Sequence, residues 1–225
     1  MTIDEVIRRI GEVGVIPVVR ASSAPEASRA VEAICEGGIP IVEITMTVPD
    51  APALIRQVVR EHGDRVLTGA GTVTRADQAK MCVDAGAEFL VSPGLATSVL
   101  TTALACRKLA IPGAMTPTEL MTALEHEAKL IKIFPAGNLG GPKYLKALRG
   151  PFPKAALIPT GGVNASNAAD YIAAGAFALG VGADLVDATA LREGNLAKIS
   201  AAARELVEAV QSAREGKAAA KPMAS

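Results

Sequence analysis

Residues 110–135, AIPGAMTPTELMTALEHEAKLIKIFP, read as strand, helix, strand, and that reading sets the fold. Ala110 to Met115 is a short apolar run. Thr116-Pro117-Thr118-Glu119 has the pattern of a capping box with proline at the first helical position, which predicts a helix to about Ala128. Leu130 to Pro135 returns to strand, with Leu130, Lys132 and Phe134 on one face and Ile131 and Ile133 on the other. Lys132 therefore shares a packed face with an aromatic ring. Burial disfavours the charged form of an amine, and a neutral amine can attack a carbonyl, so Lys132 is a candidate Schiff-base nucleophile. The plain alternative is a lysine near a strand end whose stem packs while its head reaches water or a carboxylate.

The same alternation extends in both directions. Upstream, a helix over Ile3–Val13 precedes the strand Val15–Val19, which ends at Arg20. Helices over Pro25–Glu36, Pro52–His62, Arg75–Ala85 and Thr97–Leu109 alternate with strands at Ile39–Met46, Arg65–Ala70 and Ala87–Gly94. Downstream come a helix at Pro142–Leu148, a strand at Ala155–Pro159, a helix at Ser166–Ala174, a strand at Ala176–Leu179 and a long helix at Leu196–Arg214. Roughly eight βα units with nearly continuous apolar strands predict a TIM (β/α)8 barrel with an N-terminal helix, one α/β domain over residues 1–214. A doubly wound open sheet is the alternative, since βα alternation alone does not prove closure. Residues 215–225 have little to bury and read as a disordered tail.

Composition narrows the function. The chain has 225 residues, 50% of them hydrophobic, and a formal net charge of zero. It carries no basic stripe interleaved with aromatics, which argues against nucleic acid, and no apolar run long enough to span a bilayer. The start of the chain lacks the apolar core of a signal peptide, and Cys35, Cys82 and Cys106 are odd in number and widely spaced. A cytoplasmic protein without disulfides or a CxxC metal site is expected.

In a barrel the chemistry belongs at the strand ends. On the second strand Ile41, Glu43 and Thr45 alternate against Val42, Ile44 and Met46, so a carboxylate stands in an apolar strand just as Lys132 does. If both face the lumen, Glu43 can move protons for an imine on Lys132; the alternative is a buried structural ion pair, a weak source of net stability. Gly161-Gly162 and Gly180-Val181-Gly182 follow the last two strands, where backbone N–H groups commonly surround a phosphate, although glycine pairs also serve tight turns. The GAGT stretch at Gly69–Thr72 lacks the third glycine of a dinucleotide fingerprint. His62 and His126 lie within or at the end of helical stretches without partners at ligand spacing, which argues against a metal-dependent epimerase or class II aldolase.

Six segments, VEITMTVPDA (Val42–Ala51), GAGTVT (Gly69–Thr74), VSPG, PGAMTPTE, IKIFPAG and PTGGVN, together resemble the 2-keto-3-deoxy-6-phosphogluconate (KDPG) and 4-hydroxy-2-oxoglutarate (KHG) aldolases, over roughly Val6 to Val186. The resemblance implies a class I aldolase on a TIM barrel, usually a homotrimer, acting on a small 2-oxo acid with no metal or other cofactor. It makes Lys132 the Schiff-base lysine and Glu43 the general acid/base working with a bound water. Thr72 then holds the pyruvate carboxylate, with Thr45 near it, while Pro93 and Phe134 shape the pocket. Two departures stand out. Some members carry arginine at the position of Thr47, so the carboxylate's counter-charge is expected from Arg20 instead, unless Arg20 is a surface arginine at a strand end. Relatives often have serine where this chain has Ala183, followed by Asp184, so a weaker preference for phosphorylated substrate is expected. A non-catalytic sugar-phosphate-binding or scaffold barrel is the alternative function.

Overall fold

Strand and helix alternate through the whole of the computed structural model, which describes residues 1–219, with backbone alone for 217–219. The order is α1 (Ile3–Val13), β1 (Val15–Val19), α2 (Ala24–Glu36), β2 (Ile41–Thr45), α3 (Ala51–His62), β3 (Leu67–Gly71), α4 (Ala76–Asp84), β4 (Phe89–Val91), α5 (Thr97–Ala105), β5 (Leu109–Ile111) and β6 (Gly113–Ala114). Then follow α6 (Pro117–Glu125), β7 (Ile131–Ile133), α7 (Pro142–Arg149), β8 (Leu157–Pro159), α8 (Ala165–Ala173), β9 (Leu179–Val181), α9 (Ala188–Arg192) and α10 (Leu196–Ala219).

All the ladders are parallel, and β1 pairs with both β2 and β9, so the first strand meets the last. An open doubly wound sheet does not make that pairing; a barrel must. The remaining seams explain the short strands. Pro112 splits one strand into β5, paired with β4, and β6, paired with β7, because proline has no N–H for the ladder, while its carbonyl still accepts from the Lys132 amide at 2.9 Å. Between β8 and β9 a single bridge, Thr160 to Gly180, closes the ring. Counting β5 and β6 as one strand bent at the proline gives the (β/α)8 barrel.

Local chemistry sets the element ends. Thr116 caps α6 by accepting from the Glu119 amide, and the Glu119 carboxylate accepts from the Thr116 amide at 2.8 Å, the predicted capping box. Thr2 and Glu5 do the same for α1, whose Val6 and Ile10 are buried. Several boundaries differ from expectation by a few residues, and three of them are informative. Helix α5 stops at Ala105, and Leu109 belongs to β5. The last strand is Leu179–Val181 and not Ala176–Leu179: after Gly175, at φ 95°, the Ala176 amide still bonds back to Tyr171, and the Leu179 amide is the one that reaches the Gly14 carbonyl beside β1. Apolar residues on the approach look like strand in sequence. Helix α10 continues through Ala219, so the predicted tail is helical over 215–219, while 220–225 lie outside the described residues.

Candidate active site

Register decides which side chains meet. Paired Cα partners of parallel strands share a face, so the rows Val18–Glu43–Gly69–Phe89 and Gly113–Lys132–Ile158 all point into the lumen. Lys132 and Glu43 thus enter the same space from β7 and β2, as their strand alternation predicted. The Lys132 Nζ lies 4.0 Å from Glu43 Oε1, with side chains 6% and 3% exposed. The same Nζ sits 5.2 Å from the centre of the Phe134 ring. Glu43 Oε1 has no hydrogen-bond partner among the described residues, an expensive state for a buried carboxylate. Burial pushes the Glu43 carboxyl above its ordinary range, and the positive charges of Lys132 and Arg20 pull it partly back.

Above this pair, at the C-terminal mouth, stands Arg20. Its Nη1 donates to Thr47 Oγ1 at 3.4 Å and its Nη2 to Thr72 Oγ1 at 3.3 Å, and its other N–H groups have no hydrogen-bond partner among the described residues. Thr72 follows β3 with φ 56°, a left-handed conformation rarely taken by a β-branched residue and characteristic of functional sites. Thr45, buried at the end of β2, donates to the Val19 carbonyl at 3.0 Å and lies 2.7 Å from Thr47 Oγ1. Its hydroxyl proton is therefore spent inside the protein. Pro93 follows β4, where its carbonyl would lie 2.3 Å from a Cβ on Gly113, so the lumen tolerates only glycine there.

Gly71 is a site residue that sequence reasoning passed over. A Cβ on it would lie 1.9 Å from Glu43 Oε1, so the glycine makes room for the carboxylate. The alternation of Gly69 and Gly71 around Ala70 was the available signal, because two glycines on one face of a strand mean something bulky opposite. Gly71→Ala is expected to displace the carboxylate and lower kcat by about 100-fold, the scale of an ångström-sized misplacement, while borohydride still traps pyruvate; steady-state kinetics beside a trapping assay check this.

The glycines assigned to phosphate divide. Gly161 and Gly162, after β8, have φ of 90° and 73° and leave the strand in a turn accessible only to glycine, with the Gly162 carbonyl accepting from Asn167 Nδ2 at 2.8 Å. Gly182 follows β9 and starts the turn toward α9, its carbonyl accepting from the amides of Leu185 and Val186. Gly180 is different: it lies within β9, where a Cβ would meet Thr160 Oγ1 at 2.2 Å. It is a packing glycine of the lumen. Asp184 does not cap α9; Asp187 does, its Oδ1 accepting from the amides of Thr189 and Ala190. A surface hollow of about 600 Å³, bounded by Pro142, Lys146, Asp170 and Ala173, lies between α7 and α8 outside the barrel and includes none of these groups.

An amine and a carboxylate buried together beneath a guanidinium, at the C-terminal end of a (β/α)8 barrel, are the groups that a Schiff-base lyase of the aldolase type requires. The family model described as "KDPG and KHG aldolase" matches residues 3–202, and the chain belongs to that family. The 2-dehydro-3-deoxy-phosphogluconate aldolase of Dickeya dadantii is 37% identical over 193 residues, spanning 86% of this chain and 90% of the relative. The KHG/KDPG aldolase of Escherichia coli is 36% identical over 194 residues, 86% of this chain and 91% of the relative. Among solved structures, a KDPG aldolase from Legionella pneumophila, with pyruvate captured at low pH as a covalent carbinolamine intermediate, superposes with a TM-score of 0.83 at 31% identity, covering 89% of this chain and 97% of that one.

Proposed function

We propose that this protein is a class I aldolase that reversibly cleaves KDPG, 4-hydroxy-2-oxoglutarate or both into pyruvate and an aldehyde. The observation that carries the reading is the buried pair of Lys132 and Glu43, 4.0 Å apart in the lumen with one carboxylate oxygen unbonded. The Lys132 amine adds to the C2 ketone to give a carbinolamine, and loss of water forms an iminium. That iminium accepts the electron pair of the C3–C4 bond as the bond breaks, while Glu43 takes the C4 hydroxyl proton through a water. The aldehyde departs, C3 of the resulting enamine takes up a proton, and hydrolysis of the pyruvate imine frees the lysine. A gap longer than a hydrogen bond suits exchange through substrate or water better than direct transfer between the two groups.

In this reading Arg20 and Thr72 hold the pyruvate carboxylate, and Pro93 and Phe134 shape the pocket. Gly161, Gly162 and Gly182 turn the chain where an aldehyde-end phosphate would lie, without the hydroxyl that Ala183 lacks. Arg20→Ala is expected to raise KM for pyruvate by at least about tenfold through loss of a charge-assisted pair, with little change in kcat; pyruvate-dependent aldol addition kinetics measure it.

Two further features belong to the same reading. The domain spans residues 1–214 and assembles as a homotrimer: a designed cage built by "fusing symmetric oligomeric domains" superposes at a TM-score of 0.84, and Leu104, Met121 and Leu124 expose apolar surface on α5 and α6. The protein works in the cytoplasm, a reading supported by three cysteines that form no disulfide. The test of function is direct. Borohydride with labelled pyruvate should attach label to Lys132, and cleavage of KDPG and of 4-hydroxy-2-oxoglutarate should be assayed side by side. An unlabelled, inactive protein would leave only a binding or scaffold role.

A further inference from the structure

Thr47 has no part in the chemistry above, yet hydrogen bonds from two directions meet on its hydroxyl. We propose that Thr47 and Thr45 form a one-way hydroxyl relay that positions the Arg20 guanidinium for the substrate carboxylate; the proposal rests on the role given to Arg20 under the proposed function. Its direction follows from counting protons, because each hydroxyl has a single one to donate. The Val19 carbonyl can only accept, so Thr45 spends its proton there, at 3.0 Å. The 2.7 Å contact between the two threonines then has one possible sense, with Thr47 donating to Thr45 Oγ1. Thr47 has now spent its own proton, and its oxygen is left as an acceptor, which is where Arg20 Nη1 arrives at 3.4 Å.

The chain therefore runs Arg20 to Thr47 to Thr45 to Val19, and it ends on the residue covalently next to Arg20. A long, exposed side chain is tied back to the end of its own strand through the end of the neighbouring strand. From the other side Nη2 donates to Thr72 at 3.3 Å, so the guanidinium is held at both edges. An arginine left free has rotamer freedom to lose when an anion binds; one already held in place loses less, and the saving appears as affinity. Thr45 is fully buried at the root of the relay, and Thr47 stands exposed at its tip. Thr45 is thus a positioning residue and does not itself present a hydroxyl to substrate.

The experiment is a pyruvate titration of borohydride trapping in the full chain. Thr47→Val keeps the shape and removes the hydroxyl. It is expected to raise the half-saturating pyruvate concentration about threefold to tenfold, the scale of one hydrogen bond, with the maximal trapping rate unchanged, and Thr47→Ser should restore the wild-type value. In an Arg20→Ala background the Thr47→Val change should add nothing, since the relay acts only through the arginine. Wild-type half-saturation in Thr47→Val, or additive effects in the double variant, would overturn the relay while leaving Arg20 its role. An Arg20→Ala variant that saturates like wild type would overturn both.

Discussion

Lys132→Ala is expected to abolish covalent trapping of pyruvate and to lower turnover by at least about 10⁴-fold, the scale seen when a covalent nucleophile is removed. No other lysine replaces it: Lys132 is the buried lysine among the described residues, and its strand and the Phe134 ring hold it in the lumen beside Glu43. Since alanine would also leave a cavity, Lys132→Met is the companion variant, keeping the stem and losing the amine. Both should fold with wild-type circular dichroism and be inert to trapping, as read by mass spectrometry of the borohydride-treated protein. Cleavage at the wild-type rate by either variant would rule out an imine on this lysine.

Glu43→Gln separates the two halves of the chemistry. The amine remains, so an imine with pyruvate should still form and be trapped. The proton carrier is gone, so cleavage should fall by about 10² to 10⁴-fold, the range for general acid/base catalysis. Its pH dependence supplies a second signature. Burial raises the Glu43 carboxyl above the ordinary carboxylate range, and the carboxylate is the form that takes the C4 hydroxyl proton. The sign follows: as pH falls through that raised value the base is protonated and kcat/KM drops, so the acid limb should lie above the ordinary carboxylate range. In Glu43→Gln that limb should be missing from the residual activity. A limb that persisted unchanged would belong to another group.

Much of this is legible in the sequence, and for definable reasons. Period-two alternation placed Lys132 and Glu43 on the faces they occupy, because strand geometry leaves a residue only two sides to choose from. The capping box at Thr116 and Glu119 marked the start of α6, because a helix end is set by chemistry local to four residues. The approach to β9 was read as strand because Ala176, Phe177 and Ala178 are apolar whether or not they pair, and pairing depends on how far the chain has travelled from α8. Gly180 reads as a phosphate-loop glycine in the sequence for a related reason: a glycine that makes room and one that makes a turn look alike until its neighbour, here Thr160, is known.

By itself the sequence determined the βα alternation, the identity of the two ionisable groups inside apolar strands, and the family, since each is carried by residue type and short spacing. Only the tertiary structure decided that the ring closes, through one bridge between Thr160 and Gly180 and a strand bent at Pro112. It alone decided that Lys132 and Glu43 stand 4.0 Å apart, that Gly71 clears the space for the carboxylate, and that Thr47 and Thr72 grip Arg20. The physical reason is the same each time. These relations join residues dozens of positions apart through strand register, and register is settled by the packing of the whole barrel rather than by any stretch within it.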